Sequence, residues 1–311
     1  MLAVPQWVYT LRNLPLRAAA LLLIGIVRLL PANAAYGFGA GLAAFIWRLN
    51  PQWRHTATRN LELIFGERYT HAERLAIGLK AAKNLGWYVI EFVRMGTRPV
   101  DEGLAMVVET EGIEHLEKAL EAGRGAIGLA MHYGNWDLSG AYVTAHIRQL
   151  YAVGKPQSDE FFTRLAFPWR AKYGIKNIFS GKRLNSALLR ALKENCVLGL
   201  LADQNGGTTG TFARFAGIPA STVAGPAALA LKFDCPLLIV QTRRLAPGRH
   251  RFIIHPPLDT SGLPEDRDAA QVALLERINQ AYVDVISEDP SQWLLGHKRF
   301  KTRPAGEDWL Y

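Results

Sequence analysis

Cysteine is scarce in this chain, and the motifs of several common enzyme classes are missing. The two cysteines, Cys196 and Cys235, lie in apolar runs with no zinc-binding spacing around them. They are typical of buried free thiols in a reducing compartment, and are too few for a disulfide framework. The sequence also has no phosphate-binding P-loop, no dinucleotide-binding glycine motif and no nucleophile elbow. These absences disfavour nucleotide-dependent enzymes and serine hydrolases.

Acidic residues are absent from the first 61 positions, which hold six arginines and two apolar stretches. Basic residues among apolar runs indicate an anionic membrane surface and not nucleic acid. The first uncharged run, residues 18–27, is shorter than the ~20 residues of a membrane span, and Arg28 and Pro31 follow it. We therefore predict two apolar helices, split near Pro31, that lie on or dip into a bilayer from the cytoplasmic side. Three alternatives remain: a single true span, two core helices, or a cleaved leader.

The remainder of the chain alternates short apolar runs with longer amphipathic ones. This alternation predicts βαβ units, and so an α/β fold with a mostly parallel central sheet flanked by helices. We place the N-terminal membrane-associating helices in residues 1–50 and the main domain in residues 51–311. The predicted strands lie near residues 125–131, 149–155, 175–180, 196–203, 236–244 and 251–257. The predicted helices lie near residues 136–147, 159–173, 184–194, 223–233 and 269–286.

The stretch "HYGNWD" follows the first of these buried strands and places His132 five positions before Asp137. In open parallel sheets, sites lie where strands end and helices begin. A histidine is the usual general base near neutral pH, and it needs a partner that fixes its tautomer. Asp137 can supply that partner if the chain turns tightly at Gly134. The alternative is an ordinary helix-start acid beside a satisfied polar histidine. A metal site with His146 lacks further ligands, so we predict no metal.

Three further polar stretches are candidates for substrate binding. Asp203 ends a buried strand before a glycine-rich polar loop, which otherwise is simply a long connection. Lys182 and Arg183 stand between a strand and a helix, where they can hold a phosphate or polarise a carbonyl, or are ordinary surface charges. The tail "QWLLGHKRFKTRP" is aromatic and basic, which suits an anionic headgroup or a structural clasp.

Four stretches taken together resemble the bacterial lipid A biosynthesis acyltransferases of the lysophospholipid acyltransferase superfamily, which also includes phosphatidylinositol mannoside acyltransferases. They are "TRNLELIFGE", "HYGNWD", "ADQNGGTTGTFARFAGIPASTVAGPAALA" and "QWLLGHKRFKTRP", and they span most of the chain. "HYGNWD" matches the family's H-x4-D motif. The sequence departs from the superfamily in having "ADQNG" where others carry P-E-G-T, which leaves open whether Asp203 binds acceptor or supports His132.

The resemblance implies transfer of a fatty acyl group from an acyl carrier protein or coenzyme A thioester to a hydroxyl of a membrane glycolipid such as a lipid A precursor, within lipopolysaccharide biosynthesis. It implies His132 as base and Asp137 as its orienting acid. It implies an inner-membrane protein on the cytoplasmic face, without a cofactor. The substrate-binding residues that we predict from the motifs are Lys182, Arg183, Asp203, Gln204, His297 and Arg299.

Two other functions compete with this one. The first is acyl transfer to a glycerophospholipid or a mannosyl lipid. The second is a non-catalytic lipid-binding protein on the same scaffold. A binding protein has no use for a base and its orienting acid, so the His132–Asp137 pair favours an enzyme.

Overall fold

A computed structural model describes residues 13–154, 159–179 and 184–311 of the chain. Within these residues a seven-stranded sheet is flanked by helices, and a separate two-stranded hairpin lies beside it. Successive strand residues pack into two different cores: Ile127 and Leu237 into one, Ala126 and Leu238 into the other. Both faces of the sheet are therefore covered, as parallel sheets require. The predicted α/β class with a mostly parallel sheet is confirmed.

The elements follow the predicted alternation closely. The strands are β1 (Val107–Glu111), β2 (Ala126–Ala130), β3 (Leu150–Gly154), β4 (Lys176–Phe179), β5 (Val197–Leu201), β6 (Thr211–Phe215), β7 (Ile218–Thr222), β8 (Leu237–Ala246) and β9 (Arg249–Ile254). The helices are α1 (Leu14–Leu29), α2 (Ala32–Leu49), α3 (Pro51–Phe65), α4 (His71–Thr97), α5 (Val100–Leu104), α6 (Ile113–Leu120), α7 (Trp136–His146), α8 (Glu160–Lys172), α9 (Leu184–Lys193), α10 (Gly225–Phe233) and α11 (Arg267–Glu288).

The sheet order is β1-β9-β8-β2-β5-β3-β4, so β2 occupies the centre. Every neighbouring pair is parallel except β8 and β9, which form an antiparallel hairpin through a short turn. The polar stretch after Asp203 differs from its prediction as a plain loop, because β6 and β7 form an antiparallel hairpin within it. The two strands are only five residues long and lie in a glycine-rich stretch, so apolar periodicity does not indicate them.

The two N-terminal helices lie on either side of Pro31, where their apolar pattern breaks. α2 packs closely against α4 where Gly39 meets Gly86. A Cβ atom placed on Gly86 would lie only 2.4 Å from the carbonyl oxygen of Gly39. The outward faces of α1 and α2 carry exposed apolar side chains, among them Leu22 and Leu49 at 66% and 67% exposure. Among the described residues, no helix combines the length and apolar character needed to cross a membrane. Membrane association of residues 1–50 stays a prediction, as does the domain boundary at residue 50.

Helix α4 begins at a capping box formed by Thr70 and Glu73. The Thr70 hydroxyl accepts from the Glu73 backbone N–H at 3.3 Å, and the Glu73 carboxylate accepts from the Thr70 backbone N–H at 2.8 Å. The reciprocal bonds satisfy two orphan donors at the helix start. This helix runs 27 residues from the N-terminal helices to the central site.

Candidate active site

His132 and Asp203 occupy equivalent positions beyond two paired strands. β2 and β5 are parallel, and their last paired residues are Ala130 and Leu201. Each functional side chain follows its strand by two residues, so the strand register brings together groups 71 positions apart in sequence. The site lies at the carboxyl edge of the sheet, where the topological rule places it.

Asp203 holds His132 through the imidazole ring and the backbone. The His132 Nδ1 lies 2.8 Å from Asp203 Oδ1, and the His132 backbone N–H donates to Asp203 Oδ2 at 2.9 Å. Trp293 Nε1 donates to the same Oδ2 at 2.9 Å. Since a carboxylate only accepts, Nδ1 carries the proton and Nε2 of the neutral ring has the free lone pair. Within the described chain Nε2 makes no protein hydrogen bond, and the side chain is 19% exposed.

Asp203 remains ionised beneath the histidine. Burial alone would raise the pKa of this fully buried carboxyl. The electrostatic interaction with His132 and the hydrogen bonds from His132 and Trp293 outweigh burial and lower the pKa below its ordinary value. A buried carboxylate at this position fixes the tautomer of the ring, and it can stabilise an imidazolium there.

Asp137 does not make the contact with His132 that its spacing suggests. Its Oδ2 accepts from the Tyr88 hydroxyl at 2.7 Å, and its Oδ1 accepts from Arg170 Nε at 2.6 Å. Asp137 lies in the first turn of α7, which carries its carboxylate toward α4 and α8. The predicted contact between Asp137 and His132 is therefore wrong. Asp203 contacts the His132 ring instead, and Asp137 ties together the helices around the site.

The turn between His132 and α7 requires glycine at position 134. Gly134 has φ +58°, and a Cβ atom there would lie 1.8 Å from the Thr242 carbonyl oxygen. Only glycine adopts this conformation at so close an approach without strain. Asn135 then caps α7, because its Oδ1 accepts from the Leu138 backbone N–H at 3.0 Å.

A buried charge cluster fixes this turn from behind, and the sequence patterns missed it. Glu91 accepts from Asn135 Nδ2 at 3.0 Å, from the Gly248 backbone N–H at 3.0 Å, from His250 Nε2 at 3.1 Å, and from Arg244. The side chains of Glu91, Arg244 and His250 are 2% exposed or less. Their signal was weak, because the three residues lie on separate elements and form no motif along the chain.

The contacts within this cluster determine which of its groups are charged. Burial opposes ionisation of Glu91, but the charges of Arg244 and His250 and their hydrogen bonds lower its pKa to about 2. Burial also lowers the pKa of His250, despite the adjacent Glu91. The cluster therefore holds a Glu91–Arg244 ion pair with a neutral imidazole beside it at neutral pH.

The four motif stretches meet at this site. The His132 carbonyl accepts from the Leu294 backbone N–H at 2.9 Å, so the C-terminal tail lies against the "HYGNWD" turn. Asn60, from "TRNLELIFGE", donates through Nδ2 to the carbonyl oxygens of Leu295 and His297 at 2.8 and 2.7 Å. Segments distant in sequence thus brace one another around His132.

The other predicted substrate-binding residues occupy different environments. Arg299 is fully buried, donates to the Ser221 carbonyl at 2.7 Å and the Thr222 hydroxyl at 2.8 Å, and lies over the Phe215 ring. It is a structural clasp and not a surface group; burial lowers its pKa to about 10, so it stays protonated at neutral pH. Asp203 is likewise buried beneath His132, and not open to substrate.

His297 and Gln204 lie near the site but with different contacts. The His297 Nε2 accepts from the Asn205 backbone N–H at 3.1 Å. Burial lowers the pKa of His297 to about 4, so the ring is neutral at pH 7. Gln204 follows Asp203 and is half-buried. Lys182 and Arg183 lie outside the described residues, so their role stays a prediction.

His132 lines a narrow cleft at the carboxyl edge of the sheet. Aromatic side chains line much of it, including Trp53, Tyr88, Trp136 and Trp293. Trp136 stacks on Tyr88 with ring centroids 3.7 Å apart, and its ring lies 5.0 Å from the His132 ring. The wall is therefore mainly apolar, and the imidazole of His132 is one of its few polar groups.

Comparison with known proteins agrees with this arrangement. The model of the family described as bacterial lipid A biosynthesis acyltransferase matches residues 12–302. The chain is 26% identical to the lipid A biosynthesis palmitoleoyltransferase of Escherichia coli (strain K12), covering 82% of this chain and 81% of that protein. It is 26% identical to the E. coli lipid A biosynthesis lauroyltransferase over 89% of this chain and 88% of that protein.

A third relative has a different name. The chain is 28% identical to the phosphatidylinositol mannoside acyltransferase of Mycolicibacterium smegmatis (strain ATCC 700084 / mc(2)155), over 86% of each chain. The family match covers the first three motif stretches, all but the last two residues of the fourth, and both His132 and Asp203. The chain therefore belongs to the bacterial lipid A biosynthesis acyltransferase family.

Proposed function

We propose that this acyltransferase moves a fatty acyl group from a thioester, carried by acyl carrier protein or coenzyme A, to a hydroxyl of a membrane glycolipid such as a lipid A precursor. The family and the named relatives support acyl transfer to a glycolipid, since those names refer to lipid A biosynthesis and to phosphatidylinositol mannoside. The observation that carries the chemistry is the 2.8 Å contact between His132 Nδ1 and buried Asp203.

In the proposed reaction, His132 Nε2 removes the proton of the acceptor hydroxyl as its oxygen attacks the thioester carbonyl carbon. The new C–O bond forms, the C–S bond breaks, and the proton on His132 passes to the departing thiolate. Asp203 stabilises the transient imidazolium through Nδ1. The reaction needs no covalent enzyme intermediate and no metal. A positioned base of this kind contributes ~10²–10⁴-fold to the rate.

The N-terminal helices support a location at a membrane. Their exposed apolar residues and flanking arginines suit an anionic bilayer, and we place the protein at the cytoplasmic face of the inner membrane. Acyl-chain binding in an apolar groove would add ~0.8 kcal/mol per buried methylene. The acceptor lipid would then reach His132 from the membrane side.

A mannosyl lipid is the second candidate acceptor. It is favoured by one observation, the match to phosphatidylinositol mannoside acyltransferases over 86% of the chain. Mass spectrometry of lipids from cells with and without this gene separates the two. Loss of one acyl chain from a lipid A species supports the first acceptor, and loss from a mannosyl lipid supports the second.

The catalytic proposal is tested on purified protein with an acyl thioester and the acceptor so identified. We expect His132→Ala to lower the rate of acyl transfer at least 100-fold, because the general base is lost. Circular dichroism should verify that the variant folds, since it loses the contact with buried Asp203. A variant that retains a rate within tenfold of wild type would rule out His132 as the base.

A further inference from the structure

A second cleft borders the turn between α1 and α2. The start of α2, the end of α4, helix α5 and the β8–β9 turn line it, and its polar lining includes Asn33, Arg98 and Glu102. The residues that line it all differ from those that line the cleft beside His132. That other cleft includes Trp53, which lies just beyond the far end of α2, ~27 Å along an 18-residue helix. The two clefts therefore lie near opposite ends of α2.

Arginine gives the second cleft its charge. Arg94 and Arg98 line it one turn apart at the end of α4, together with the acidic residue Glu102. Arg94 forms an ion pair with Glu102. Arg98 forms no ion pair with any residue that the structure describes; its guanidinium contacts a backbone carbonyl instead. The cleft thus keeps one positive charge that no acidic side chain compensates among the described residues.

Arg98 also keeps hydrogen-bond donors that the protein leaves unused. A guanidinium has five N–H donors. Within the described residues, Nη2 of Arg98 donates to the Arg28 carbonyl oxygen at 2.9 Å, and the buried Nε atom has no partner. The bond to Arg28 holds the guanidinium against the end of α1, so its other donors lie beside the α1–α2 turn.

The start of α2 adds backbone donors to the same cleft. Pro31 precedes this helix without a side-chain cap, and the first turn has no acidic residue. The first N–H groups of a helix have no intrahelical partner and carry the positive end of its dipole. Asn33 in this turn is exposed and lines the cleft. A helix start beside the uncompensated charge of Arg98 is suited to an anion.

The surroundings of the cleft favour a lipid as the source of that anion. Leu29, at the end of α1, is 86% exposed, and Leu21 and Leu22 on the same helix are 56% and 66% exposed. Apolar side chains beside a basic cleft suit a phospholipid whose chains stay in the bilayer while its phosphate enters the protein. A free phosphate ion would gain nothing from these leucines.

We propose that Arg98 and the start of α2 bind the phosphate of an anionic phospholipid that is distinct from the acyl acceptor. This lipid holds one end of α2 at the bilayer surface, and the cleft beside His132 is then kept near the same surface at the other end. The proposal rests on the proposed membrane location of the N-terminal helices. It is independent of the acyl-transfer chemistry.

The test is native mass spectrometry of the full chain in a neutral detergent, titrated with dioleoyl phosphatidylglycerol or dioleoyl phosphatidylcholine. The method counts bound lipids and gives the affinity of each. We expect one phosphatidylglycerol to bind more tightly than phosphatidylcholine. Arg98→Gln should bind it about tenfold more weakly, because charge-assisted hydrogen bonds to the phosphate are lost. Its melting temperature verifies that the variant folds without the Arg98 charge.

Asn33→Asp tests the same site and leaves Arg98 in place. A carboxylate in the first turn of α2 suits the helix dipole, so the helix should stay folded, but the new charge repels a phosphate. We expect phosphatidylglycerol to bind at least about threefold more weakly. Arg48→Gln is the matched control, because it removes one exposed arginine charge from the last turn of the same helix. It should bind both lipids like wild type.

Four outcomes would overturn this site. They are equal affinity of the wild type for the two lipids, unchanged phosphatidylglycerol binding in both Arg98→Gln and Asn33→Asp, an equal loss in Arg48→Gln, and binding of inorganic phosphate as tight as that of the lipid. The third would indicate diffuse attraction, and the fourth a free anion. Lipid binding needs no turnover, so a chain that binds phosphatidylglycerol but transfers no acyl group would refute the proposed function alone.

Discussion

At the residue scale, two aspartates differ in what they contact near one histidine. Asp203 is fully buried and receives three hydrogen bonds, two of them from His132. Asp137 is 5% exposed and bonds Tyr88 and Arg170. Proximity in sequence favours Asp137, whereas hydrogen bonding assigns the orienting role to Asp203.

This difference predicts unequal effects of two isosteric changes. Asp203→Asn removes the negative charge beneath His132 and permits the wrong tautomer, so we expect kcat for acyl transfer to fall by ~10²–10⁴. Asp137→Asn keeps the charge on Asp203 and should lower kcat by a smaller factor. Steady-state kinetics on both variants, with circular dichroism to verify folding, make the comparison. A larger loss in Asp137→Asn would reverse the two roles.

At the element scale, α4 organises the site from one face. Tyr88 and Glu91 stand about one turn apart on this helix. Tyr88 bonds Asp137, and Glu91 bonds Asn135, so both anchor the start of α7. The helix also packs against α2, and in this way it links the N-terminal helices to the turn that follows His132.

The buried ion pair between Glu91 on α4 and Arg244 on β8 should be essential for stability. Glu91→Gln would leave the Arg244 charge buried without its partner, and we expect the free energy of unfolding to fall by about 3–5 kcal/mol. Urea denaturation measures the change. Glu288→Gln is the matched control. Glu288 pairs at 3.0 Å with Arg243, the neighbour of Arg244 on β8, and the side chains of Glu288 and Arg243 are 37% and 35% exposed.

The control should change the free energy of unfolding by less than about 1 kcal/mol, as exposed pairs usually do. Similar losses in the two variants would contradict the role assigned to the buried cluster. A Glu91→Gln chain that is too unstable to purify would be studied in cells as a loss of soluble protein, with the control again at wild-type levels.

At the scale of the whole molecule, the apolar outer face of α1 and α2 should determine membrane binding. Burying a leucine side chain contributes ~1.5–3 kcal/mol, so Leu22→Ser with Leu49→Ser should weaken partition onto anionic vesicles at least tenfold. Val108→Ser with Leu245→Ser alters two residues of 40% and 43% exposure on the sheet and should have little effect. Vesicle flotation gives the partition coefficient. Equal flotation of all chains would refute this surface.

The stability of the molecule should also fall in mild acid. The pKa of His297 is about 4 in the folded chain against 6.5 ordinarily. Between these values the unfolded chain binds more protons than the folded chain, so the free energy of unfolding rises with pH across this window. From pH 7 to pH 5 this ring alone should remove about 2 kcal/mol of stability.

His297→Gln tests the source of that dependence, because the amide oxygen can accept from the Asn205 backbone N–H but does not titrate. Thermal melts from pH 7 to pH 5 should decline less steeply for this variant than for wild type. Identical slopes would assign the acid sensitivity to other groups.

The sequence by itself determined the alternation of strands and helices, and hence the α/β class, the parallel sheet and the position of His132 at a strand end. Periodicity encodes these features because they depend on local apolar spacing. It also contained the capping box of α4 and the need for Gly134. The β6–β7 hairpin escaped, since its two five-residue strands are too short to show that periodicity clearly.

Only the tertiary structure decided which groups meet. The register of β2 against β5 pairs His132 with Asp203 across 71 positions, and no local pattern contains that register. The same folding turned Asp137 toward Arg170 and buried Arg299 among polar groups that a linear sequence shows as separate. Side-chain partners follow from the packing of distant elements, because hydrogen bonds and ion pairs act over a few ångströms in space, whatever the separation along the chain.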